Sequence, residues 1–283
     1  MQEARPDRAC GSIGFLFAPI DHPPDRAYTC AQFDRKRSGD SSMRKGVWLA
    51  IGAYTAWGLF PIYWKWLHAV PAVQLVAHRI VWSFLLLAIV LTVLRQWRVF
   101  RSEAIRWHTV RIYFIAGLLL SVNWGVYVWA VNAGYIVETS LGYFINPLLS
   151  VLLGVVILHE RLRRAQWVAV GLAAAGVLYL TLMYGSPPWI ALTLALSFGL
   201  YGLVKKMAPL GALHGLTLET GLLFAPMLLF LLFAEANGQS AFLHSDGVST
   251  LLIVGTGVVT VVPLLMFASA VRLIPLSLIG ILQ

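Results

Sequence analysis

Apolar residues do not alternate with polar ones along this chain. They come in long unbroken runs joined by short polar links. A helix needs about 20 mostly apolar residues to cross a bilayer core. Eight runs meet that need: Gly46–Trp64, Ala72–Leu94, Ile112–Val131, Val137–Leu158, Gln166–Tyr184, Trp189–Val204, Leu216–Phe233 and Val248–Val271. A ninth begins near Leu273 and stops at Gln283. The lack of period-two alternation argues against an outer-membrane barrel. The pattern predicts an all-α polytopic membrane protein.

The links carry the orientation. Arg35, Lys36, Arg37, Arg44 and Lys45 precede the first run, and Arg95, Arg98, Arg101, Arg106 and Arg111 separate the second from the third. Arg161, Arg163 and Arg164 follow the fourth, Lys205 and Lys206 the sixth, and Arg272 the eighth. Of the alternate links, 132–136, 185–188 and 234–247 have no Lys or Arg, and only Lys65 follows the first run. Basic residues concentrate on the cytoplasmic side, so the N-terminus is expected in the cytoplasm.

Composition sharpens the class. Hydrophobic residues make up 59% of the chain and charged residues only 12%, with a mean hydropathy of +0.77. Soluble domains carry about 25% charged residues, so a water-facing surface cannot be covered and disorder is equally excluded. The net charge of +9 lies between apolar runs, so the expected partner is a lipid bilayer and not nucleic acid. Cys10 and Cys30 both precede the first run, so no disulfide framework or metal cluster is expected.

Residues 1–42 differ from the rest. They hold half of all the acids, together with Pro6, Pro19, Pro23 and Pro24. No signal peptide fits, because the apolar patch Ile13–Ile20 is broken by Pro19. Two readings stand: a disordered cytoplasmic tail, or a non-native extension before a true start at Met43.

The chain also contains a weak internal repeat. Trp57-Gly58-Leu59-Phe60 aligns with Phe198-Gly199-Leu200-Tyr201, and continuing without gaps sets Lys65 against Lys206 and His78 against Glu219. Ser140-Leu141 and Ser277-Leu278 match a few residues out of that register. The domains expected are a five-helix repeat over 43–184 and a second over 185–283. Five spans per half invert the second half, an architecture shared by many secondary transporters. Such a repeat implies ten helices in the intact protein. At about 20 residues per span, this chain is expected to be short by on the order of 40 residues.

Several stretches carry a resemblance. These are Met43-Arg-Lys-Gly46, Ala53-Tyr-Thr-Ala-Trp-Gly-Leu-Phe-Pro-Ile-Tyr-Trp-Lys65 and Ala77-His-Arg-Ile-Val-Trp-Ser83, then Asn123-Trp124 with Ala130-Val-Asn132. Ser140-Leu-Gly-Tyr-Phe-Ile-Asn-Pro147 and Glu160-Arg-Leu162 with Gln166-Trp-Val-Ala-Val170 complete the set. From Met43 onward the chain resembles the RarD group of the EamA branch of the drug/metabolite transporter superfamily. The resemblance implies ten helices in two repeats, a bacterial inner-membrane location and export of small molecules. Members commonly carry a chloramphenicol-sensitivity or resistance label, which names no demonstrated substrate. The front tail and the missing end depart from the family pattern.

Ionisable groups at membrane depth are costly and usually face a bundle interior. Arg79 lies about eight residues into its run, roughly 12 Å along a helix. It either snorkels to the surface or faces a cavity, where its fork suits a carboxylate or other anion. His78 is its neighbour, but adjacent helical residues point about 100° apart, so the two are not expected to share one cavity face. Glu219 is read either as an interfacial carboxylate near Lys205 and Lys206 or as a proton-titrating site. Glu160 is read as capping or pairing within its hairpin.

Asn123 and Tyr127 share a helix face at i, i+4 and suit either a binding wall or helix–helix hydrogen bonds. Trp57 lies deep enough to stack on a substrate, whereas Tyr63 and Trp64 fit an interfacial belt. The candidate substrate-binding set is therefore Arg79, His78, Trp57, Asn123, Tyr127 and Glu219. Small residues at every fourth position, Gly142, Asn146, Ser150 and Gly154, read as a packing seam.

The function expected is a secondary active transporter that exports a small metabolite or drug-like molecule by alternating access. Protons are the candidate coupling ion, and a homodimer is compatible with the pattern. No P-loop is present, and no cofactor or metal is expected. The alternatives are a polytopic enzyme acting on lipid-like substrates, which would need acid pairs or clustered His, and a non-transporting assembly protein, which leaves the repeat without a purpose.

Overall fold

Each apolar run folds as a helix because a backbone in lipid must satisfy its own hydrogen bonds. The computed structural model describes residues 26–67, 69–184, 188–244 and 246–283. His68, the link residues 185–187 and residues 1–25 of the N-terminal segment lie outside the described residues. Ten helices follow in order: α1 (Arg26–Trp66), α2 (Ala72–Val93), α3 (Trp97–Ala104), α4 (Trp107–Asn132), α5 (Ile136–Val156), α6 (Arg164–Tyr184), α7 (Trp189–Met207), α8 (Ala212–Ala236), α9 (Gly247–Leu273) and α10 (Leu276–Leu282). Among the described residues there is no strand. The protein is an all-α polytopic membrane protein.

Seven of these helices, α2 and α4 to α9, are long and apolar enough to span a membrane. The run expected first, 46–64, lies in α1 but does not join the seven. Its Tyr, Trp, Thr and Pro residues dilute the aliphatic ones. Helical backbone begins at Arg26, within the segment read from sequence as a tail. Residues Met1–Lys45 and Gly46–Gln283 form two compact units.

Local chemistry sets the helix ends. Pro71, Pro188 and Pro275 stand immediately before α2, α7 and α10, where a missing N–H costs little. Asp246 caps α9 by accepting from the Ser249 N–H at 3.2 Å. Gly134 and Gly238 follow α4 and α8 with φ of 86° and 67°. That left-handed turn is cheap only for glycine, and it lets the next N–H groups return to the helix carbonyls.

Helix packing interleaves early and late segments. α2 packs on α8 and α9, α4 on α7 and α8, and α5 on α7 and α10. The stripe Gly142, Asn146, Ser150 and Gly154 is buried. A Cβ on Gly142 would lie 3.2 Å from the Ala191 carbonyl of α7, so the α5–α7 crossing depends on a hydrogen there. On α6, none of the apolar window is buried.

The links sort to two ends. Tyr113 at the start of α4 exchanges hydrogen bonds with both the N–H and the carbonyl of Leu210 in the α7–α8 link, each at 3.1 Å. Arg272 donates to the Ala208 and Leu210 carbonyls of the same link. Glu160 in the α5–α6 link accepts from the N–H groups of Leu276 and Ser277. At the other end, Gln74 at the start of α2 donates to the Gln239 carbonyl and accepts from the Ala241 N–H in the α8–α9 link. The basic links therefore gather at one end.

The basic stretch after α2, which reads from sequence as a polar link, contains a helix. α3 is short and amphipathic. It buries Ala104 and packs Phe100 against a small cluster with Tyr113, Ala208 and Leu210, while Arg98 and Arg101 stay exposed.

Candidate functional site

A small cavity of about 10 Å³, room for one water molecule, lies between α2, α4, α8 and α9. Arg79 and Ser83 line it from α2, Trp124 from α4, Glu219 and Thr220 from α8, and Thr260 from α9, with leucines filling much of the remaining wall. Arg79 and Glu219 are each the eighth residue of their helices. Because α2 and α8 start at opposite ends of the bundle, the two side chains enter the cavity from opposite directions.

The Arg79 guanidinium is held by faces and one hydroxyl. Its carbon lies 4.1 Å from the Trp124 ring centroid and 5.0 Å from that of Trp64. Its Nε donates to Thr260 Oγ1 at 3.0 Å. Among the described residues, no carboxylate forms an ion pair with it. Aromatic faces attract a cation through the ring quadrupole while leaving its donor edge open.

Glu219 is arranged differently. It is 1% exposed, and both oxygens are engaged. Lys205 Nζ donates to Oε1 at 2.7 Å, and the Tyr201 hydroxyl donates to Oε2 at 3.3 Å. Lys205 also sits over the rings of Tyr113 and Tyr201 at 5.3 and 5.7 Å. The ammonium and the carboxylate close on each other inside a ring of phenols.

Of the other four candidates, Tyr127 comes within electrostatic reach of Arg79 together with Tyr143, and the remaining three lie elsewhere. His78 is buried on the far face of α2, with its ring 5.2 Å from that of Phe242, as the 100° step between neighbours requires. Its Nε2 and the nearby Trp82 Nε1 have no hydrogen-bond partner among the described residues. Asn123 donates to the Leu194 carbonyl at 2.9 Å and to Ser197 Oγ at 3.0 Å, tying α4 to α7. Tyr127 meets Tyr143 of α5 edge-on at 5.9 Å. Trp57 belongs to an aromatic cluster with Tyr54, Phe198 and Phe267, centroids 5.5–5.6 Å away.

Sequence reasoning missed Lys205, Trp124 and Thr260 as site residues. Lys205 follows its apolar run directly and reads from sequence as a link residue, whereas in the structure it lies in the last turn of α7. Trp124 and Thr260 carry no charge to mark them.

Glu160 forms a second polar centre at the basic end. Its oxygens accept from the Leu276 and Ser277 N–H groups at 2.7 and 2.8 Å, with Lys206 Nζ at 3.7 Å. Lys206 donates in turn to the carbonyls of Val271 and Ile274. Burial pushes the Glu160 carboxyl up, but the two N–H groups and the Lys206 charge outweigh it and hold the group below its usual range.

Residues 44–182 match the EamA-like transporter family. A protein named RarD from Streptomyces exfoliatus is 46% identical over 244 residues, covering 86% of this chain and 78% of that protein. The chain belongs to the RarD group of the EamA-like transporters. An uncharacterized transporter of Bacillus subtilis, YojE, is 48% identical over 249 residues, 85% of this chain and 81% of its own length. RarD of Escherichia coli is 40% identical over 241 residues, 85% of this chain and 81% of its own. Family membership and the apolar helices make this a multi-pass bacterial membrane protein of the drug/metabolite transporter type.

Proposed function

We propose that this protein is a secondary active exporter of a small metabolite or drug-like molecule, working by alternating access in the bacterial inner membrane. The N-terminus and the basic links lie in the cytoplasm. Residues 43–184 and 185–283 form two inverted repeats, and protons are the candidate coupling ion.

One observation carries the reading: Arg79, a cation with no acidic partner among the described residues, lines a cavity built from α2 and α4 of the first half and α8 and α9 of the second. An unneutralised charge at membrane depth is expensive, and it is best explained by a solute that completes it. Placement between halves supports it too, because alternating access rocks one repeat against the other around a fixed site. The packing partners agree with a two-fold relation: α2 on α9 and α8 on α4 are the same contact once the halves are exchanged.

The test is counterflow in proteoliposomes with this chain and with Arg79→Ala. The reading predicts saturable, gradient-dependent flux for a responsive solute. It also predicts that Arg79→Ala inserts and folds normally and loses at least ~90% of the flux, a tenfold effect worth about 1.4 kcal/mol. Undiminished flux in that variant removes Arg79 from the pathway.

A further inference from the structure

Resting on the transport reading, the geometry points to a substrate class: we infer that the cavity beside Arg79 takes a small organic monoanion, a carboxylate head on an apolar body.

The donors come first. A guanidinium has five N–H groups in a fixed fork. In Arg79 the Nε–H is spent on Thr260 Oγ1 at 3.0 Å; among the described residues no other hydrogen bond or ion pair reaches the group, and the Tyr127 and Tyr143 phenols lie within electrostatic reach of it. The two terminal nitrogens are left side by side. That edge matches the two oxygens of a carboxylate. Trp124 and Trp64 set the plane by covering the faces at 4.1 and 5.0 Å, so a ligand must approach along the edge.

The charge count comes second. Only two charged side chains line the cavity, Arg79 and Glu219. Glu219 is already neutralised by Lys205 and capped by Tyr201. The cavity therefore holds one positive charge that no acid among the described residues balances. A monoanion balances it. A cation adds to it, and the ammonium of a zwitterion finds no free carboxylate. A dianion would bring a second buried charge without a partner.

The walls come third. Ile80, Leu120, Leu216, Leu223 and Leu264 surround the polar edge. As the helices stand the cavity holds about one water molecule; once they part to admit a solute, these walls favour an apolar body behind the head group, since apolar area removed from water is a main source of affinity.

The experiment is calorimetric titration of the full chain in lipid nanodiscs with matched probes: phenylacetate, the isosteric uncharged phenylacetamide, phenylalanine, phenethylamine and phenyl phosphate. Octanoate and acetate test the apolar body. Phenylacetate is expected to bind saturably and at least tenfold more tightly than phenylacetamide, with phenylalanine, phenethylamine and phenyl phosphate also weaker. Octanoate should outbind acetate. Arg79→Gln should abolish the acid-over-amide preference, and Arg79→Lys should retain it in weakened form. Thr260→Val, which leaves the charge in place, covers the case where Arg79→Gln does not fold; it should weaken phenylacetate without affecting phenylacetamide.

Equal binding of acid and amide overturns the inference, as does a preference that survives Arg79→Gln. Tighter binding of phenylalanine would reassign Glu219 as an ammonium acceptor, and no carboxylate binding above the amide control also rejects the class. Flux separates the two claims. Saturable transport of an uncharged solute without anion preference sinks the anion class and leaves the transporter. Anion binding with no flux of any solute does the reverse.

Discussion

The helix pairs α1–α2 and α7–α8 each place one cation in the apolar interior, and they treat it in opposite ways. In the gapless register that sets Trp57 against Phe198, Trp64 falls opposite Lys205, His78 opposite Glu219 and Arg79 opposite Thr220. In α7–α8 the cation is on the first helix and an acid on the second, closed at 2.7 Å. In α1–α2 an aromatic ring stands on the first helix and the cation on the second, with no acid between them. The closed pair is an internal anchor whose charges are spent on each other. The open one keeps a net charge and a free donor edge, as a ligand site must. In the proposed repeat, matching positions have thus been given different work.

The comparison is tested hardest by opening the closed pair. Glu219→Leu strands the Lys205 ammonium, 3% exposed, among phenol rings. Removing one partner of a buried pair costs about 3–5 kcal/mol, so a large fall in the thermal unfolding midpoint in detergent is expected. Removing both charges, in Lys205→Met with Glu219→Leu, should recover most of it, because an apolar pair of similar volume replaces a satisfied ionic one. A single variant as stable as the parent would mean that Lys205 reaches water after all.

The Glu160 carboxylate should have an intermediate effect. It lies at the basic end, 13% exposed, and is bound by backbone N–H groups at the start of α10. Charge-assisted hydrogen bonds contribute about 1.5–3 kcal/mol, so Glu160→Gln should cost something in that range. The pH dependence follows from the sign of the shift. A carboxyl held low in the folded state stabilises at pH values above its unfolded pKa of about 4.3. That contribution is lost as pH falls through the folded value. Unfolding midpoints followed from pH 6 down to pH 3 should fall for the parent below the usual carboxylate range. Glu160→Gln should start lower and change less. Parallel curves would show that the clasp carries no linked proton.

Much of this architecture was readable because lipid imposes a strong rule: about 20 apolar residues per crossing. α2 and α4 to α9 fall within a few residues of the expected runs, and charge alternation anticipated which links share an end. α3 escaped because eight residues with Arg98, Arg101 and Glu103 look like a polar link, and its apolar face is visible only beside Tyr113 and Leu210. Arg79 and Glu219 stood out as charges within apolar runs. Their contrast did not, since it depends on contacts far apart in sequence: Arg79 with Thr260, and Lys205 with Glu219 across a helix turn-around. Glu160 is likewise completed by Leu276 and Ser277, more than a hundred residues later.

The smallest change in stability is expected where the open site is closed by design. Thr260 already accepts from Arg79, and aspartate is close to threonine in size, so Thr260→Asp supplies the missing acid. The new attraction is offset by the cost of taking a carboxylate out of water, which leaves the unfolding midpoint within about 1 kcal/mol of the parent. Binding should respond far more than stability. With its charge neutralised, Arg79 has no claim on an added anion, and phenylacetate affinity should fall at least tenfold, toward that of phenylacetamide. The α2–α9 contact would then behave as α7–α8 does now, an anchor without a ligand. If Thr260→Asp still prefers the acid, the site does not owe its selectivity to an unbalanced charge, and the distinction between the two cations loses its physical basis.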